Sequence, residues 1–311
     1  MSQDNNISLH RPFSRREAIA ILFGSILPTA AGCKVLGKDL TSSIKEDLQL
    51  SSGDENESPS ESEAKYSDTI IICEESLPSS ETDIPEWDGD YTFVSSIGKA
   101  EMDVECPAGQ IMLSPLDALG RSGRAVGNIT HSMAQESSNW RSAFEDEIEV
   151  AGWPKKNPEV TISVTHDGTE HAVDRTYVWN RCHLIADCLG GYLHAYMTNG
   201  DVDTEMSVTP AEDVFCGTRC ANVGPDDADG LGYWGMAHVE DMVLEFLYGH
   251  DDIPVWYSAE PVYDGDELIP RAIVMQAKSA DGAIDLCEVV HNVLPGFEID
   301  YDTAQISRSI T

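Results

Sequence analysis

The sequence predicts an α+β domain with a mixed or antiparallel β-sheet, on three observations. Val160, Ile162 and Val164 alternate with polar residues, Asp167-Gly168 offers a turn, and Ala172 to Trp179 offers a returning strand. Met236, Val239, Met242, Val243, Phe246 and Leu247 recur at helical spacing, stopped by Gly249. Val255 to Tyr263, Leu268 to Lys278 and Ile284 to Val290 read as strands, with Asp264-Gly265 and Asp281-Gly282 as the turns between them. A hairpin, a loop, a helix and then a meander is the order of an α+β domain.

The totals permit such a domain. Of 311 residues, 41% are apolar, enough for a substantial core. The 55 acidic and 19 basic residues give a formal net charge of -36. Residues 39–105 hold 19 acids against 3 bases and residues 106–311 hold 34 against 11, so the candidate domain is itself acidic. This excludes a broad basic footprint for nucleic acid. Any polyanion partner must be held locally, by a few arginines and a metal.

Residues 1–33 have the shape of an export signal: Arg11 and Ser14-Arg15-Arg16, an apolar run from Ala18 to Ala31, then Gly32-Cys33. The adjacent arginines resemble a twin-arginine signal. Ala30-Ala31-Gly32-Cys33 resembles a lipobox, with Ala30 where Leu is usual, and predicts lipid attachment at Cys33 and a place on the outer face of the membrane. An ordinary cleaved signal or an uncleaved anchor is the alternative. Residues 34–83 are rich in Ser, Glu and Asp, apart from Ile70-Ile71-Ile72, and read as a disordered, self-repelling tether. The folded domain is expected over residues 84–311, from the aromatic and β-branched stretch IPEWDGDYTFV onward.

The chemistry concentrates in Tyr177 to Gly191, YVWNRCHLIADCLGG. Arg181 and His183, two residues apart, would leave the same face of a strand, setting a base beside a phosphate-sized cation. Downstream come Cys216-Gly217-Thr218-Arg219-Cys220-Ala221-Asn222-Val223, then Gly235-Met236 with Glu240, then Pro295-Gly296-Phe297-Glu298-Ile299-Asp300-Tyr301. The spacing of Cys182, Cys188, Cys216 and Cys220 is not that of a zinc knuckle. A disulfide from Cys188 to Cys216 or Cys220 suits an exported chain better. No Gly-x-Ser-x-Gly elbow supports a serine hydrolase.

Together with Leu119-Gly120-Arg121, these motifs in this order resemble the bacterial DNA/RNA non-specific endonuclease family, over roughly residues 84–303. The resemblance implies a ββα-metal core and metal-dependent hydrolysis of phosphodiester bonds in DNA and RNA. It makes His183 the general base and Asn222 the protein ligand of Mg2+, or of another divalent ion such as Mn2+. An imidazole of reference pKa about 6.5 is largely neutral at neutral pH and can take a proton from an attacking water. Magnesium keeps most of its waters and accepts a single neutral protein oxygen.

Arg181 and Arg219 are the candidate phosphate clamps, because a planar guanidinium matches phosphate oxygens at two points; structural ion pairs are the alternative. Glu240 is expected to orient Asn222 or a metal-bound water, against the alternative of a solvated helix position. Asn180, Ala186 and Cys220 depart from the residues commonest in the family, while the base and the ligand remain. Gly224 to Trp234, GPDDADGLGYW, reads as an insertion whose Asp226, Asp227 or Asp229 could add a carboxylate or cover the site. No obligate protein partner is implied. The competing functional class is a catalytically silent surface lipoprotein that binds nucleic acid or a protein partner.

Overall fold

In chain order the strands are β1 (Ile70–Ile72), β2 (Val94–Gly98), β3 (Ile111–Leu113), β4 (Ala125–Ile129), β5 (Glu159–His166), β6 (Thr169–Tyr177), β7 (Trp179–His183) and β8 (Leu193–Asn199). They continue with β9 (Val202–Val208), β10 (Val214–Thr218), β11 (Val255–Val262), β12 (Ala272–Ser279), β13 (Asp285–His291), β14 (Phe297–Asp300) and β15 (Gln305–Arg308). The α-helices among the described residues are α1 (His131–Ser137), α2 (Arg219–Val223) and α3 (Met236–Gly249). This computed structural model describes residues 69–80, 82–89, 91–137, 148–166, 169–191, 193–199, 202–224 and 234–309, all within the unit Ala64–Thr311. The expected export signal with Cys33, the tether up to residue 68 and the acidic stretch 225–233 lie outside the described residues.

Seven strands form one mixed sheet in the order β1-β3-β4-β11-β12-β13-β2. Only β1 with β3 is a parallel pair within it; the other neighbours are antiparallel. The fold class is therefore α+β with a mixed sheet, as the sequence predicts. The expected meander is β11, β12 and β13. Its middle strand starts later than expected, at Ala272, because the amides of Leu268 and Ile269 donate to Tyr301 O and Pro270 has no amide to give.

Period-2 alternation sorts the sheet residues between two faces. Ile129, Tyr257, Ala259, Ile273, Met275 and Ala277 join Met236, Val239, Val243 and Leu247 of α3 in the largest core. Val126 and Trp256, on the opposite face, pack with Ala100, Val104 and Cys106. Burying each large side chain is worth about 1.5–3 kcal/mol, which is what fixes α3 to the sheet.

Ile70–Ile72 falls within the stretch expected as tether, yet it pairs with β3. Three β-branched residues suit a sheet edge that is otherwise open. Just after it, Ser80 donates from both its amide and its hydroxyl to Glu260 Oε2, at 2.8 and 2.7 Å, so this segment is fastened to the sheet.

The ribbon of β7 and β10 lies between two cores. Cys182 and Phe215 belong to the largest core, whereas Trp179 and Cys216 join Phe93, Ile162, Ile269 and Leu294 in a second. The expected disulfide fails for the same reason. Cys188 packs against the first core while Cys216 and Cys220 are in the second, and all three are free thiols.

Candidate active site

In β7 the backbone is extended, so Trp179, Arg181 and His183 share one face. Antiparallel pairing sets His183 opposite Val214, Arg181 opposite Cys216 and Trp179 opposite Thr218. Immediately beyond His183 the chain is pinned twice to one residue. Leu184 N donates to Asp213 O at 2.8 Å and Ile185 N donates to Asp213 Oδ1 at 2.9 Å. The chain then turns through a short 3-10 segment, Asp187–Leu189, which brings Asp187 Oδ1 to 3.4 Å from His183 Nδ1. That contact is longer than an ordinary hydrogen bond and is an ion pair only when His183 carries a proton on both nitrogens.

Strand β10 runs directly into α2. Gly217 lies so close to Cys182 that a Cβ there would meet its sulfur at 2.5 Å. Thr218 N donates to the buried Asn292 Oδ1 at 2.7 Å, and Thr218 Oγ1 accepts from Ala221 N at 3.0 Å, capping α2. Arg219 is thereby the first helical residue, with its amide on Val178 O at 2.7 Å, and Asn222 follows within the same turn. The Gly235-Met236 motif is explained by close approach of α2 and α3. Gly235 has φ 60°, and a Cβ on it would collide with the carbonyl oxygen of Ala221.

Electrostatics join these elements. Asp213 is 1% exposed, and burial lifts its carboxyl well above the usual range; the charge of His183 opposes this, whereas Asp187 and Glu240 reinforce it. Burial also lifts the Cys182 thiol well above its usual value, with Cys216 and Glu240 adding to the effect and Arg219 opposing it. His183, Asp187 and Glu240 thus act electrostatically on Asp213, and Glu240 and Arg219 on Cys182, at the β7–β10–α2 junction. Cys182 is a buried thiol at its centre and not a nucleophile.

Each residue singled out in the sequence can now be placed. His183 ends β7 and Arg181 precedes it on the same face, with its guanidinium 4.1 Å above the Trp153 ring. Arg219 starts α2 and makes no ion pair among the described residues. Glu240 is 8% exposed, which overturns the alternative of a solvated helix position: α3 turns it toward the core. Asn222 is half-buried, and its side chain makes no hydrogen bond among the described residues. An uncommitted amide oxygen, one helix away from a buried carboxylate, suits a hard, hydrated divalent cation. Among the described residues no group of three or more His, Cys, Asp and Glu side chains could hold a metal ion.

Three neighbours escape sequence reasoning: Asp187, Asp213 and Asn292. Asp187 has a weak signal, four residues after His183. Asp213 and Asn292 have none, because their partners are distant in sequence.

No protein-family model matches the chain. In sequence it is 27% identical over 230 residues to a deoxyribonuclease of Streptococcus dysgalactiae subsp. equisimilis, a match covering 66% of this chain and 63% of that protein. The chain therefore spans less than two thirds of the length of that curated relative. In structure it is similar to the Sda1 nuclease, solved with bound zinc ion, at 28% identity and a TM-score of 0.55, covering 70% of this chain and 98% of that one. Motif order, sequence likeness and shared fold are together consistent with the bacterial non-specific endonuclease family, the one its sequence resembles.

Proposed function

We propose that the protein is an exported, lipid-anchored, metal-dependent endonuclease that hydrolyses phosphodiester bonds of DNA and RNA without sequence specificity. The observation that carries this reading is the placement of His183 at the end of β7, 3.4 Å from Asp187, on the strand that pairs with β10, which runs directly into the helix bearing Arg219 and the uncommitted Asn222. The deoxyribonuclease relative and the zinc ion in Sda1 support DNA as a substrate and a divalent ion as a cofactor. RNA as a second substrate rests on the family resemblance, and export on the twin-arginine-like and lipobox-like residues ending at Cys33.

Asp187 holds Nδ1 of His183, and Nε2 takes a proton from water as the water oxygen bonds to phosphorus and the bond to the departing sugar oxygen breaks. Arg181 and Arg219 grip the non-bridging phosphate oxygens; the stack on Trp153 keeps the first of them extended from the strand. Asn222 would hold Mg2+ or Mn2+, with Glu240 orienting the amide or a water. Such an ion, when bound, supplies positive charge to the phosphoryl group and the leaving oxygen.

Incubating plasmid DNA and a structured RNA with magnesium, and again with excess chelator, tests the reading. Nicking followed by loss of both polymers in magnesium alone is expected. Intact polymers in magnesium would favour the silent, nucleic-acid- or protein-binding lipoprotein instead.

A further inference from the structure

A groove of about 690 Å3 opens beside the candidate active site, lined among others by Trp153, Lys155, Lys156, Asp302, Thr303 and Gln305. It contains neither His183 nor Asn222 nor Glu240, but it is fastened to the strand that carries His183. The Trp153 ring on its wall is the one beneath the Arg181 guanidinium, at 4.1 Å. Asn157 clasps the backbone of Trp179 in both directions, donating to Trp179 O at 2.7 Å and accepting from Trp179 N at 3.0 Å. Val178 N donates to Pro158 O at 3.1 Å. From the other wall, Ala304 O accepts from Trp179 Nε1 at 3.2 Å, with Ala304 held at φ 58°. Trp179 and His183 are the two ends of β7, about 13 Å apart at strand rise. This is about four nucleotides along one strand of a duplex.

Charge gives the groove its meaning. In a chain of net charge -36, five described cations lie against carboxylates: Lys99 and Lys278 on Asp285, Arg121 on Asp117, Arg124 on Asp103 and Arg271 on Glu267. Lys155 and Lys156 are exposed and make no ion pair among the described residues. Asp302 is the single carboxylate on the lining, and neither lysine is bonded to it. Two adjacent, uncompensated ammonium groups in a concave wall, next to an aromatic ring that already orders a guanidinium, match a chain of phosphates.

We propose that the groove at Trp153–Lys156 is a subsite for the phosphodiester backbone that flanks the bond under attack. This rests on the nuclease reading and names where the substrate runs. It offers a way for so acidic a domain to hold a polyanion locally, with Lys155 and Lys156 on the groove wall next to the ring that carries Arg181.

The test replaces both lysines in the full chain, Lys155→Ala with Lys156→Ala, and reads two quantities. On a His183→Ala background, affinity for a long duplex is measured by fluorescence anisotropy over a salt series. The expected result is roughly ten-fold weaker binding, with the slope of log affinity against log salt reduced in magnitude by between one and two. With His183 intact, KM for long DNA rises while kcat holds, and turnover of bis(p-nitrophenyl) phosphate, too small to reach the groove, stays unchanged. An unaltered salt slope and KM would overturn the subsite, as would an equal loss on the long and the small substrate. If the parent protein cleaves nothing, the nuclease reading fails, and the salt slope still decides whether the groove binds nucleic acid.

Discussion

His183 Nδ1 and Asp187 Oδ1 stand 3.4 Å apart, brought together because the chain leaves β7, is tied down by Asp213 and doubles back through a short 3-10 segment. A carboxylate in that position fixes which face of the imidazole is offered to substrate. Its geometry depends on a turn and not on a helix, although the two residues are four apart in sequence.

Asp187→Asn is accordingly expected to lower kcat about 10- to 100-fold with little change in KM, the size of effect seen when a group supporting an active-site residue is removed. Steady-state cleavage of a labelled duplex measures it. An unchanged kcat would remove Asp187 from the account.

Gly235→Ala introduces a Cβ at φ 60° and against the carbonyl of Ala221. A loss of about 2 kcal/mol or more is expected, together with reduced activity, because α2 must move and takes Arg219 and Asn222 with it. Thermal unfolding and a cleavage assay on the same sample check both halves.

Asn292→Ala removes the acceptor of Thr218 N and the donor to Pro270 O, 2.7 Å each, inside the protein. Leaving those groups unpaired costs about 1–3 kcal/mol. Urea unfolding should show a lower midpoint with an unchanged slope, since compactness is not altered.

Arg124, buried, donates to both oxygens of Asp103 at 2.7 Å, and to Ser258 Oγ and Pro78 O. Its side-chain hydrogen bonds hold the Asp103 carboxyl below the usual carboxylate range, against some desolvation. A depressed folded pKa means that the stabilisation is fully present above the unfolded value of about 3.9 and is lost as pH falls through the folded one. Asp103→Asn should therefore be less stable than the parent at pH 7 by about 1 kcal/mol, or roughly 2–4 °C in Tm, because water screens the partly exposed carboxylate. The gap should narrow as pH falls below about 4 and close once pH is below the depressed folded value, and a gap unchanged down to about pH 2 would contradict the assignment.

How much of this was legible in the sequence follows from which forces are local. Helix α3 shows in its apolar spacing, and the meander in its Asp-Gly turns, because period and turn chemistry are properties of short windows. The motif residues Arg181, His183, Arg219, Asn222 and Glu240 could be named, but not that Glu240 is buried or that Arg181 lies on Trp153, since both depend on distant packing. The pairing of β7 with β10 is likewise non-local, and so is the separation of Cys188 from Cys216 and Cys220 into different cores. Polar composition hid β1, whose three isoleucines gain a partner only once the edge at β3 exists.

The most direct test of the central claim compares the parent with His183→Ala on supercoiled plasmid in magnesium, with far-ultraviolet circular dichroism to show that the fold is kept. The account predicts a fall in the cleavage rate of about 100- to 10,000-fold, the range expected for loss of a general base. A folded His183→Ala protein that nicks plasmid at the parent rate would contradict it.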